Sequence, residues 1–317
     1  MKTEDYNVFQ IRYTFRDNSN VMDAVVRNRC ELELLRIFDY VAKELKFQLK
    51  IETESQKKGP MRDAYHLIVI AGVPVYTDIL RFISQMVLTH PKTPKGQKPS
   101  WNAALVNEMI AIAKAGLKEK NRTNPYLSEA SVKSLLEEDS KLRKLVSNFF
   151  EHLVSYAKMA RFDILLSTKN NKGEAVDVVE GVDRNAFKSF ILESDELAPL
   201  INEDAHIEIV SPVLKTGNYR WRGIYEGAEA PIEFFMLDED FKQSVETDRI
   251  SFQNGTCIRC TLEINRRMDE EGNIFNSRYT VKMVSKVYSG NVTVETPKGK
   301  RKREEMEAAK RQLSLFD

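Results

Sequence analysis

The chain has 317 residues, 42% hydrophobic and 30% charged, enough for two globular domains and a sizeable core. Its 48 Lys and Arg face 47 Asp and Glu, a net charge of +1, which excludes coating of DNA by bulk phosphate neutralisation and leaves only local basic patches for that role. Three cysteines, Cys30, Cys257 and Cys260, are too few for a disulfide framework, and the polar start carries no signal-peptide pattern, so a cytoplasmic protein is expected.

Residues 7–16 alternate, with Phe9, Ile11, Tyr13 and Phe15 on one side, and predict a strand with an aromatic face. Asp17, Asn18, Ser19 and Asn20 supply turn chemistry. Over 22–45, Val26, Cys30, Leu34, Phe38, Val41 and Leu45 recur at helical spacing and predict an amphipathic helix. Residues 47–54 alternate again, so the chain opens strand–helix–strand. The stretch 67–88 is apolar and 22 residues long, about the span of a bilayer. Asp78, Arg81, Pro74 and Gln85 interrupt it, so a buried strand-turn-helix or helix pair is expected, with a membrane span as the alternative. A Pro- and Lys-rich loop at 90–100 leads to helical patterns over 101–120 and 128–160.

From residue 161 the pattern changes to short strand-like runs at 162–168, 175–180, 206–210, 219–225, 232–237, 256–264 and 279–287, separated by turn signals. A helix is expected over 184–203. The fold class predicted is therefore α+β. An α/β and helical domain covers 1–160, a mostly-β, barrel- or sandwich-like domain covers 161–290, and a basic tail covers 291–317.

The tail ends in Gln312, Leu313, Ser314, Leu315 and Phe316. This pentapeptide resembles the one by which bacterial polymerases, mismatch-repair proteins and other replication factors dock on the β sliding clamp: Gln, Leu, Ser or Asp, Leu, Phe. All five positions match, and the resemblance covers those five residues alone. It implies that Leu315 and Phe316 enter an apolar pocket while Gln312 makes polar contacts at its rim. The resemblance implies recruitment to replicating or repaired DNA; because the body shows no recognisable catalytic set and resembles no standard replication or repair enzyme, a non-enzymatic accessory or sensor protein of a bacterium or its phage is expected, with antiphage defence as the furthest extension of that reading. The competing reading places Met306, Ala309, Leu313 and Phe316, which recur at helical spacing, on a C-terminal helix packed against the core.

Two further patterns suggest nucleic-acid contact. Lys298, Lys300, Arg301, Lys302 and Arg303 form a basic run suited to phosphates. Arg220, Trp221 and Arg222 alternate cation and aromatic on a predicted strand, either a base-stacking surface or one core face and one solvated face. The lone Cys257-Ile258-Arg259-Cys260 does not define a metal site, because positions three apart on a strand point to opposite faces, and no cofactor motif is present. Asp238 and Asp240 after a strand, with Glu52 and Glu54 on another, are the candidate carboxylates for the alternative of a metal-dependent nuclease or toxic effector recruited by the same tail.

Overall fold

The computed structural model describes residues 6–44, 48–53, 62–71, 135, 139–170, 173–215, 217, 219–247 and 249–313. They divide into two units, Met1–Asp195 with Asp269–Asn273, and Glu196–Met268 with Ile274–Asp317.

The first unit is a sheet covered by helices. Strands β1 (Tyr6–Phe15), β2 (Gln48–Thr53), β3 (Arg62–Ala71), β4 (Met159–Asn170) and β5 (Gly173–Asp183) form a five-stranded sheet in the order β2-β3-β1-β4-β5. Strand β1 is central because it pairs with both β3 and β4. Its alternation has the expected consequence: Phe9, Ile11, Tyr13 and Phe15 are all buried. They meet Cys30, Leu34, Phe38 and Val41 of helix α1 (Ala24–Glu44) and Leu142, Phe149, Phe150 and Leu153 of helix α2 (Ser140–Ser155) in one core. Asp139 caps α2 by accepting from the Leu142 backbone N–H at 2.7 Å. At its other end the Arg184 guanidinium donates to the Val154 and Tyr156 carbonyls at 2.8 and 2.7 Å, satisfying groups the helix leaves unpaired.

The expected domain limit at 160 moves to residue 195. Strands β4 and β5 carry the pattern of the β half but are hydrogen-bonded to β1 and to each other, so they complete the first sheet. Of the apolar stretch 67–88, residues up to 71 lie in β3; the remainder, with the helical patterns up to residue 134, lies outside the described residues. No helix among the described residues is long and apolar enough to cross a membrane.

The second unit is a closed barrel. Strands β6 (Glu196–Ser211), β7 (Arg220–Tyr225), β8 (Ile232–Met236), β9 (Cys257–Met268) and β10 (Ile274–Ser289) run β6-β7-β8-β10-β9, and β9 pairs back onto β6. All these pairings are antiparallel except β8 with β10. A short helix, α4 (Glu239–Glu246), lies between β8 and β9 in the chain, while the brief α3 (Arg184–Phe187) belongs to the first unit. Strand β11 (Val292–Glu295) adds to β10 beyond β8, and helix α5 (Pro297–Leu313) follows. Ile207, Trp221, Phe234, Ile258, Leu262 and Val281 fill the barrel, as its size requires. Gly223 permits the close approach of β7 to β6: a side chain there would strike the Glu208 carbonyl and the Ile207 side chain.

The helix expected over 184–203 is replaced by α3, a single 3-10 turn (Lys188–Phe190) and the start of β6. Pro199 sits in the register shift between Leu197 and Leu200, the kind of position where a strand tolerates proline, and pairing with β9 overrides the local helical pattern.

Candidate functional site

Helix α5 is locked to the barrel at its first turn. Thr296 is its N-cap: the hydroxyl accepts from the Gly299 N–H at 3.0 Å and donates to the Val284 carbonyl at 2.6 Å. Pro297 follows at the first helical position, where its missing N–H costs nothing. Gly299 lies against β10 so tightly that a Cβ would collide with the Ser285 carbonyl.

The basic run 298–303 is largely engaged in the same anchoring. Lys298 Nζ lies 2.6 Å from Asp238 and 2.8 Å from Asp240, and this pair of carboxylates, Asp238 first, raises the lysine's pKa. Lys302 meets Glu203 at 3.1 Å. Arg303 forks onto both oxygens of Glu295 at 3.1 Å, raising the arginine's pKa and lowering the carboxylate's. Lys300 and Arg301 are exposed. Three of the five cations thus hold α5 and β11 on the barrel; a cleft of about 380 Å³ between α5 and the barrel is lined by these internally paired charges.

From Glu304 through Ala309 every residue of the helix is exposed, Met306 at 52%. The packed-helix reading of the tail therefore lacks its first two contacts, Met306 and Ala309. Gln312 and Leu313 end α5, and Ser314, Leu315 and Phe316 lie outside the described residues.

Trp221 is corrected as a nucleic-acid contact. It is 1% exposed and packs in the barrel against Phe234, Phe241 and Phe252, with ring centroids 5.6–6.2 Å apart. Arg220 and Arg222 stand on the opposite, outer face, in register with Phe235 and Glu233 of β8. What the sequence did not single out is Phe235 itself: it is half-buried on that outer face, with the Arg220 and Arg278 guanidinium carbons 5.5 and 5.2 Å from its ring centroid. The spacing Phe234-Phe235 carried the signal, since one of two adjacent aromatics on a strand must point outward.

The carboxylates considered for a nuclease are not assembled. Asp238 is 2% exposed and caps α4 by accepting from Phe241 N–H at 3.3 Å; it also accepts from Val284 N–H at 2.9 Å and from Lys298. Its lone pairs are occupied by structural donors. Glu52 pairs with Lys50 on β2, in the other unit, and Glu54 lies outside the described residues. Among the described residues no three His, Cys, Asp or Glu side chains gather as a metal site. The two thiols of the Cys-x-x-Cys are free; Cys260 is buried in the barrel, where burial pushes its pKa up to about 12, and Cys257 is only partly buried.

No family model, no curated protein and no solved structure matches this chain.

Proposed function

We propose that this protein is a non-enzymatic accessory factor that docks on the bacterial β sliding clamp through Gln312, Leu313, Ser314, Leu315 and Phe316, bringing its folded body to replicating or repaired DNA. The observation that supports this most is the exposure of α5 from Glu304 to Ala309. The helix runs out from its anchored first turn with a surface of charge and small residues, so the core makes no claim on Met306 or Ala309. In the sequence this exposed stretch leads to Leu313, Leu315 and Phe316, and a peptide-binding pocket is the kind of partner that buries such an apolar trio.

The barrel supports a nucleic-acid setting at the level of fold alone. Its strand order, its single parallel pair and the helix between the third and fourth strands are the connectivity of OB-type Greek-key barrels, a scaffold used for oligonucleotides and oligosaccharides.

The test is a pull-down with purified clamp. Leu315→Ala with Phe316→Ala, or deletion of residues 312–317, is expected to weaken clamp binding at least 30-fold, about 2 kcal/mol or more for apolar anchors in a pocket. The melting temperature of the body is expected to stay unchanged. Equal clamp affinity in wild type and variant removes the proposal.

A further inference from the structure

The outer face of β7, β8 and β10 has a composition that packing does not explain. Arg220 of β7, Phe235 of β8 and Thr280 of β10 lie in one register row. Around Phe235 stand Arg220, Arg222, Arg278 and Lys282, four cations against the two carboxylates Glu233 and Glu263.

We propose that this face binds single-stranded DNA, bases stacking on Phe235 and phosphates meeting Arg220, Arg222, Arg278 and Lys282. Both halves of that chemistry are needed. Unpaired bases present π-faces to aromatic rings and guanidinium planes, whereas a duplex hides them within its stack. A carbohydrate would call for carboxylate and amide hydrogen-bonding partners beside the rings, and the cations favour a polyanion instead. Arg222 and Arg278 are exposed and have no carboxylate at ion-pair distance among the described residues. Arg220 pairs with Glu233 at 2.9 Å, but both side chains are about 60% exposed, and such pairs contribute only about 0–1 kcal/mol, so a phosphate can displace the glutamate. The near-neutral whole chain is no obstacle, because the charge that matters is the local excess on this face. The choice of DNA over RNA rests on the clamp reading above; the surface itself does not.

Fluorescence anisotropy of a labelled oligothymidylate about 16 nucleotides long tests this with full-length protein and no clamp. Wild type is expected to bind, and to weaken with salt by a slope of about −0.7 for each phosphate neutralised. Phe235→Ala should weaken binding about tenfold or more through lost stacking. Arg222→Ala with Arg278→Ala, which alters only exposed side chains and so keeps the barrel intact, should flatten the salt slope by about 1.4. Deletion of residues 312–317 should leave oligonucleotide affinity unchanged, and Phe235→Ala should leave clamp binding unchanged, which separates this proposal from the preceding one. Absence of binding at low salt, equal binding of duplex or of polyglutamate, or wild-type affinity and salt slope in the double arginine variant would each overturn it; tighter binding of oligouridylate overturns the assignment to DNA.

Discussion

Two buried carboxylates show how differently one charge can be accommodated. Asp238, 2% exposed, receives two backbone N–H groups and the Lys298 ammonium, so its charge is balanced by fixed donors. Glu33 on α1 is also buried, at 4% exposure, but its pKa is raised: burial dominates, and Arg36, 2.8 Å away, only partly offsets it. The folded state therefore holds the Glu33 proton more tightly than the unfolded chain does. Its penalty is absent at low pH, grows as pH rises from the unfolded value through the raised folded one, and is complete above it. Glu33→Gln imitates the protonated form and leaves Arg36 within 3.7 Å of Glu271. The variant is expected to melt higher than wild type at pH 8, with the difference shrinking toward zero as the pH falls below the glutamate's unfolded value. Thermal scans across pH check this, and a wild type that is the more stable form at pH 8 contradicts it. At this scale Trp221 marks the limit of sequence reading. Its alternation with Arg220 and Arg222 was plain, but which of the two faces turned inward was set by closure of the barrel, a pairing of β9 with both β6 and β10 that no local pattern carries.

Elements followed their periodicity wherever one face met one core. Strand β1, helix α1 and strands β7 to β10 all lie where alternation or helical spacing put them, because in each the buried positions repeat with the element's own period. Strand β6 followed it only in its second half, where the expected run 206–210 lies; over its first part long-range pairing to β9 outweighed the apolar spacing of residues 184–203. Helix α5 offers the sharpest test of an element's position. In an exposed helix Gly→Ala gains about 1 kcal/mol from propensity. At Gly299 the added methyl would meet the Ser285 backbone carbonyl, and forcing such an overlap costs about 1–3 kcal/mol or more. The clash should win. Gly299→Ala is expected to speed hydrogen exchange of residues 298–309 selectively while barrel amides of β9 and β10 keep their protection; a slower-exchanging helix would show that α5 is not seated on β10 as described.

At the scale of the whole molecule, two strand-bearing units and a helical tail were legible from composition, but the limit between them was not. Residues 159–183 read as part of the β half because strands look alike whichever sheet they join; only pairing with β1 assigns β4 and β5 to the first unit. The same holds for the candidate sites, where the clamp peptide is visible in five consecutive letters while the outer face is assembled from three strands, its residues spread from Arg220 to Lys282. Both proposed sites belong to the second unit, and α5 joins them. Its 17 residues reach about 25 Å at the helical rise, so a clamp-bound tail would hold the barrel within reach of DNA leaving the ring. Binding of one site then raises the effective concentration of the other. Wild type is expected to bind a clamp loaded on a primer with a single-stranded overhang on the order of a hundredfold more tightly than it binds clamp or oligonucleotide alone. Phe235→Ala should fall to the affinity of the tail alone, and deletion of 312–317 to that of the face alone. If wild type binds the loaded junction no better than the stronger single ligand, the two sites cannot be engaged together, whatever each does separately.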